Sequence, residues 1–248
     1  MEKIELQLEE LDYSAEEAYK TLRTNIKFCG DDKKVIAITS CMENEGKSSI
    51  SMNLGVSLAQ SGEKVILVDA DLRKSVLLGR NKVREEIVGL THYLSQQAQL
   101  SDVIYGTNVD GFDIIFAGPS APNPAELLGN KYFTALIEIL RKNYDYVIID
   151  TPPLGVVIDS AIIAKECDGI IIAIESGLDS YRFVRGVKEQ LEKAQCPILG
   201  VVLNKVDVTK ASYYGRYGRY GKYGKYGKYG GYGSYGAYGN TETGNSSK

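Results

Sequence analysis

The sequence predicts a doubly wound, mainly parallel α/β sheet of one domain, followed by a disordered C-terminal tail. Three observations carry this. Short β-branched apolar runs alternate with longer helical patterns along most of the chain. Those runs are continuous rather than alternating in polarity, as strands covered on both faces must be. At Tyr213 the composition then changes abruptly to Tyr-Gly-X repeats. Strand–helix alternation of this kind builds parallel sheets with helices on both sides.

The elements follow in order. An amphipathic stretch from Ser14 to Phe28 reads as an N-terminal helix, with Ser14 as N-cap and Glu17 at the capping-box position. Strands are expected at Val35–Thr39, Val65–Val68, Asp113–Phe116, Tyr146–Ile149, Gly169–Ile174 and Ile198–Leu203. Helices are expected at Lys47–Gln60, Lys131–Lys142, Ser160–Glu166 and Ser180–Ala194. From Tyr213 onward glycine stands at about every third place with almost no aliphatic residues. Such a segment cannot bury enough surface to offset its ordering entropy, so a flexible arm is expected. The chain accordingly divides into an N-terminal helical segment (1–30), a core domain (31–210) and the tail (211–248).

Composition narrows the function. Apolar residues make up 44% of the chain, enough for a substantial core. The net charge of −3 hides an asymmetry: residues 211–248 carry six cations against Glu242 alone, so a +5 tail hangs from a −8 body. An acidic body argues against a nucleic-acid partner, and a charge-segregated tail argues for an interaction segment. Cys29, Cys41, Cys167 and Cys196 show no CxxC pairing and there is no signal peptide, which points to reduced thiols in a cytoplasm. No apolar run has the length of a membrane span, so a membrane role must come through a partner. With His92 the sole histidine, a His-rich metal site is excluded by count.

The chemistry concentrates at strand ends. Ser40–Ser49 (SCMENEGKSS) follows the first long strand and opens a helix, ending in Gly46-Lys47-Ser48. In that context backbone N–H groups and a helix N-terminus face a phosphate, a lysine reaches the β/γ-phosphates and a hydroxyl meets Mg²⁺. Cys41 replaces the general pattern's first glycine. Two further strands end in acids: Val65–Val68 runs into Asp69-Ala70-Asp71-Leu72-Arg73, and Val147–Ile149 into Asp150-Thr151-Pro152-Pro153. Ligands of open α/β sheets sit at the carboxyl ends of strands, so loop and acids should converge on one crevice. Carboxylates beside a triphosphate suit Mg²⁺, which takes hard oxygen ligands.

This set resembles the bacterial tyrosine kinases of capsule and exopolysaccharide assembly, in their soluble Gram-positive form. The likeness rests on Thr39-Ser40 with Gly46-Lys47-Ser48, on Asn53, and on Asp69–Arg73. It continues through Asn123–Leu128, Asp150–Pro153 and Gly200–Asn204, and its most specific element is the tyrosine cluster. The resemblance implies a P-loop fold and ATP on Asn44, Glu45, Gly46, Lys47, Ser48 and Ser49, with Asn204 contacting adenine. It implies Mg²⁺ on Ser48, Asp69 and Asp150, and Lys47 stabilising charge in transfer. Asp69 or Asp71 would accept the tyrosine proton; the residues alone do not choose between them.

The implied acceptors are Tyr213, Tyr214, Tyr217, Tyr220, Tyr223, Tyr226, Tyr229, Tyr232, Tyr235 and Tyr238. The implied assembly is a homo-oligomeric ring, for instance an octamer, through Glu17, Lys20 and Arg23. Implied partners are a membrane adaptor of the polysaccharide chain-length regulator type, which recruits the protein to the inner face of the membrane, and a cognate phosphotyrosine phosphatase. Two departures stand out. Glu43-Asn44 replaces the family's Pro-Gly and adds negative charge beside the phosphates, and Lys20 replaces the first arginine of the family's Glu-x-x-Arg-x-x-Arg motif. Lysine keeps the charge and loses the bidentate fork.

Two other readings share parts of the pattern. A partitioning-type ATPase has the same fold, but its extra loop lysine would fall at Met42. A nucleic-acid binder could use the Tyr/Arg/Lys tail for stacking and phosphate tracking, against the acidity of the body. A eukaryotic-type kinase is excluded, since no His-Arg-Asp or Asp-Phe-Gly occurs.

Overall fold

The computed structural model describes residues 3–80, 87–178 and 180–207. The tail, including all ten tyrosines from Tyr213 to Tyr238, lies outside them. Among the described residues, eight strands form one sheet in the order β1-β4-β5-β3-β6-β2-β7-β8. They are β1 (Lys3–Ile4), β2 (Val35–Ser40), β3 (Val65–Asp69), β4 (Tyr105–Thr107), β5 (Phe112–Ile115), β6 (Tyr146–Asp150), β7 (Gly169–Glu175) and β8 (Ile198–Asn204). Every pairing is parallel except β4 with β5.

The alternation of side chains across each strand builds two cores. Val35, Ala37, Ile66, Val68, Val147 and Ile149 face one; Ile36, Ile38, Val65, Leu67 and Ile148 face the other. Both sets are fully buried, which is why these strands read as unbroken apolar runs. Burying each such Val, Leu or Ile side chain is worth about 1.5–3 kcal/mol. β8 differs. It closes one edge of the sheet, and Val201 and Leu203 project to solvent.

Helix α1 (Tyr13–Phe28) lies over α2 (Lys47–Ala59). Its N-cap is Asp12, whose carboxylate accepts the Ala15 N–H at 2.8 Å. The expected Ser14 cap with Glu17 in a capping box is therefore corrected: Asp12 offers the stronger acceptor two residues earlier, and Glu17 pairs with Lys20 instead. Helix α2 is buried over most of its surface because sheet and α1 sandwich it. Gly55 makes this approach feasible, since a Cβ there would sit 2.6 Å from the Phe112 ring.

Helices α3 (Leu77–Arg80), α4 (Leu90–Leu94), α5 (Leu100–Val103) and α6 (Pro124–Leu128) are single turns or little more. Helices α7 (Lys131–Asn143), α8 (Asp159–Ala164) and α9 (Tyr181–Lys193) complete the cover. In α7 the spacing Phe133, Leu136, Ile137, Leu140 sets the buried stripe, and in α9 it is Val187 and Leu191.

β1 and β4 have no counterpart among the strands expected from the sequence. Two and three residues long, they are too short for a periodic signal. They are held by specific contacts: the Asn108 side chain accepts from Leu6 N at 2.9 Å and donates to Leu6 O at 3.3 Å, standing in for a further ladder pair. The described residues up to Val206 form one compact unit, so the N-terminal segment adds an edge strand and a packed helix to the same body.

Candidate active site

The phosphate loop runs from the end of β2 to the start of α2. Two of its residues have left-handed backbone, Asn44 at φ 64° and Gly46 at φ 91°. Asparagine tolerates that region better than other side-chain-bearing residues, so Asn44 can hold a conformation more usual for glycine. At Gly46 a Cβ would also lie 2.0 Å from Asn204 Nδ2.

The loop is braced from the neighbouring strand ends. The carboxylate of Glu45 is fully buried and accepts Met42 N–H at 2.6 Å and Glu175 N–H, from the end of β7, at 3.2 Å. Asn204, ending β8, donates to the Glu45 carbonyl at 2.9 Å. The side chains of Glu45 and Asn204 thus serve the loop's own backbone.

Asp69 and Asp150 are register partners at the carboxyl ends of β3 and β6, both buried. Asp150 accepts Ser51 Oγ–H at 3.1 Å, and Ser48 also bonds to it. Burial pushes the Asp150 carboxyl up to about 6, although the Ser48 hydroxyl, Lys47 and Ser51 all favour its charge. Asp69 is held well above the usual carboxylate range, first by burial and then by the charge of Asp150, against hydrogen bonds from the Ser75 hydroxyl and Asp71 N–H. Two buried carboxylates side by side are a standing electrostatic cost that a cation would relieve.

After β3 the chain turns sharply. Asp71 accepts the N–H groups of Arg73 at 3.2 Å and Lys74 at 3.0 Å. Arg73 then forms a bidentate pair with Asp159, 2.7 and 2.9 Å, at the first turn of α8. Asp159 is wholly buried while Arg73 is 41% exposed. Lys74 reaches Glu43 at 3.0 Å, so the charge that Glu43 adds to the loop has a counter-ion.

Asn44, Gly46, Lys47, Ser48 and Asp71 line one cleft of about 100 Å³, walled opposite by Pro152, Pro153 and Val156. Asp69 and Asp150 lie beneath it. Three contributors escape the sequence reading: Ser51, Ser75 and Asp159. Ser51 lies one turn after Lys47 on α2, a signal that helical spacing could have given. Ser75 and Asp159 sit in irregular chain or at a helix start, where spacing carries no signal. The helix expected from Ser160 in fact begins at Asp159. On α1, Glu17 and Lys20 pair at 2.7 Å, while Arg23 donates to the Ser57 carbonyl of α2 at 2.6 Å.

A loop opening a helix with Gly-Lys-Ser, set between acid-tipped parallel strands, defines a P-loop nucleotide-binding protein. A family profile described as an AAA domain matches residues 33–196. Tyrosine-protein kinase CpsD of Streptococcus agalactiae serotype III is 48% identical over 198 residues, 80% of this chain and 85% of that protein. Tyrosine-protein kinase YwqD of Bacillus subtilis is 38% identical over 201 residues, 80% and 84%. The solved kinase domain of Escherichia coli tyrosine kinase ETK superposes with a TM-score of 0.74 at 34% identity, covering 78% of this chain and 76% of that one. A more distant structure is the septum site-determining protein MinD of Pyrococcus horikoshii complexed with Mg-ADP, with a TM-score of 0.61 at 26% identity, covering 70% and 71%. The chain belongs to the bacterial tyrosine-protein kinase family.

Proposed function

We propose that the protein transfers the γ-phosphoryl group of ATP to the tyrosines of its own C-terminal cluster, in trans within a homo-oligomer. The observation that supports this best is the convergence of Lys47, Ser48, Asp71, Asp69 and Asp150 on one strand-end cleft. Phosphoryl transfer asks chiefly for positioning and charge neutralisation, and these groups supply both. Loop N–H groups from Asn44 to Ser49 cradle the phosphates and Lys47 neutralises the β/γ oxygens.

The residues fit Mg²⁺. Among the described residues no group of three or more carboxylate, thiol or imidazole ligands is gathered. Magnesium needs no such cage, being held by one or two protein oxygens plus phosphate and water. Ser48 and Asp150, bonded to each other, would supply those oxygens, with Asp69 behind them. When bound, the ion screens the phosphate oxygens and the buried pair of acids.

The tyrosine oxygen attacks the γ-phosphorus, an O–P bond forms, the bond to the β–γ bridging oxygen breaks, and ADP departs with that electron pair. The phenolic proton, with an ordinary pKa near 10, passes to a carboxylate. Asp71 suits this role because it lines the cleft, whereas Asp69 is buried and engaged by Ser75. The same reading has the protein recruited to the membrane by an adaptor of the chain-length regulator type, opposed by a phosphotyrosine phosphatase, and controlling capsular or exopolysaccharide synthesis and export. No described helix is long and apolar enough to cross a membrane.

Incubation with Mg-ATP followed by mass spectrometry of the tail, wild type against Lys47→Met, tests the activity. Wild type should carry several phosphotyrosines between Tyr213 and Tyr238 and the variant none. An unmodified wild-type tail would overturn the reading.

A further inference from the structure

A second depression runs along the outer side of α2, separate from the nucleotide cleft but meeting it at Ser48. It consists of two adjoining cavities of about 240 and 400 Å³, which share Leu8, Glu9 and Asn53 in their walls. The first opens onto Ser48 and Ser49, and the second extends to Ser57 and Gln60 at the far end of the helix. Residues 7–11 form one wall and α1 the other.

Acids outnumber cations in the lining of this groove. Lys20 is paired with Glu17 at 2.7 Å, and Arg23 keeps its charge while donating to the Ser57 carbonyl at 2.6 Å. Glu9, Glu10 and Glu16 are exposed on its walls and make no ion pair among the described residues. Leu8, 37% exposed, offers apolar surface at the end near Ser48, with the buried Met52 and Leu77 behind it. A groove with exposed acids along its length and an exposed leucine at the phosphate end suits a cationic peptide that carries an aromatic ring.

This chain contains such a peptide. In Tyr-Gly-X repeats from Tyr214 to Tyr229, X is Arg216, Arg219, Lys222, Lys225 and Lys228. From Ser48 to Gln60 the helix advances about 18 Å, and an extended chain advances about 3.3 Å per residue, so the groove holds about two repeats.

We propose that this groove binds the Tyr-Gly-X tail of a second copy, two repeats at a time. Glu9, Glu10 and Glu16 hold the cations while one tyrosine is delivered at Ser48 to the nucleotide cleft. The proposal rests on the kinase reading above. It gives a role to the cation that stands two residues after each tyrosine from Tyr214 to Tyr226, and it makes modification self-limiting, since each phosphate adds about −1.5 to −2 charges beside its own docking cation.

The test uses full-length protein. A synthetic peptide of residues 213–229 is titrated by fluorescence anisotropy onto wild type and onto Glu9→Gln/Glu10→Gln/Glu16→Gln at low salt. The two cations of the docked repeats, set against three exposed acids, give about a tenfold loss of affinity in the triple variant, shrinking at high salt. A charge-reversed variant (Glu9→Lys/Glu10→Lys/Glu16→Lys) should regain binding with a peptide whose five X cations are replaced by glutamate. Equal affinity of wild type and triple variant, or no binding at all, overturns the groove.

In parallel, trans phosphorylation of a Lys47→Met chain by the triple variant should show a KM for the acceptor about tenfold higher with kcat little changed. An unchanged KM counts against the groove. Failure of the kinase reading looks different: wild type would bind the peptide and leave every tyrosine unmodified.

Discussion

Replacing Asp150 by asparagine should stabilise the nucleotide-free protein while abolishing its response to Mg-ATP. In the folded chain Asp150 titrates at about 6 against an ordinary value of 3.8, with burial the main cause. At about 1.4 kcal/mol per tenfold change, that difference means the ionised carboxylate opposes folding by about 3 kcal/mol. The sign follows from proton counting. Below pH 3.8 both folded and unfolded chains hold the proton and nothing is lost. Between about 4 and 6 the unfolded chain gives it up first, so stability falls, and above about 6 the full penalty applies.

The asparagine side chain carries no charge, and its carbonyl can still accept the Ser51 hydroxyl. Asp150→Asn should therefore match wild type near pH 4 and melt up to about 6–12 °C higher at pH 8, at about 2–4 °C per kcal/mol for a chain of this size. Differential scanning fluorimetry across pH 4–8, with and without Mg-ATP, reads both effects. If the variant melts lower than wild type at pH 8, or the gap does not depend on pH, the buried-charge reading is wrong.

Other expectations concern single contacts. Arg73→Ala strands the buried Asp159 carboxylate and should destabilise by about 2–3 kcal/mol, less than for a fully buried pair because Arg73 is partly exposed; adding Asp159→Asn should recover much of it in chemical denaturation. Gly46→Ala places a methyl against Asn204 at an unfavourable φ and should weaken binding of a fluorescent ATP analogue by at least about tenfold, at a strain of about 1–3 kcal/mol. If that variant binds normally, the Asn204 brace is not tight. Mixing Lys47→Met with a tail-deleted chain should phosphorylate the Lys47→Met tail, and an unmodified tail would exclude transfer in trans. Light scattering should show smaller assemblies after full phosphorylation, since about three phosphates cancel the tail's +5; an unchanged size rejects that link.

Much of the architecture is legible in the sequence because it depends on periodicity. The long strands are buried on both faces, so each of Val35–Ile38, Val65–Val68 and Val147–Ile149 announces itself. The loop is legible through Gly46-Lys47-Ser48 and its place between strand and helix. What escapes depends on particular contacts. β1 and β4 pair over two residues, a contact that the Asn108 amide extends to Leu6, and pairing that short leaves no pattern to read. Ser75 and Asp159 matter because the fold brings them to Asp69 and Arg73, and nothing in their neighbourhood marks them. The Ser14 cap misleads for a different reason: Asp12 and Ser14 are both good caps, and only the path of the chain decides which one meets a free N–H. Glu43 reads as an excess charge because Lys74, thirty-one residues on, gives no hint of its position.

The buried carboxylate of Glu45 and the amide of Asn204 have a consequence for exchange of ligand. With the Glu45 carboxylate tied to β7 and the Glu45 carbonyl tied to β8, the phosphate loop has its shape without a nucleotide, so little ordering entropy is spent when one arrives. Entry is then governed by diffusion into the cleft rather than by loop closure. The segment from Asp71 to Lys74, which lines the same cleft, is held differently, by the Arg73 ion pair to α8 and the Lys74 ion pair to the loop. Salt weakens the exposed Lys74–Glu43 pair most, while the loop, held by hydrogen bonds to the strand ends, keeps its shape.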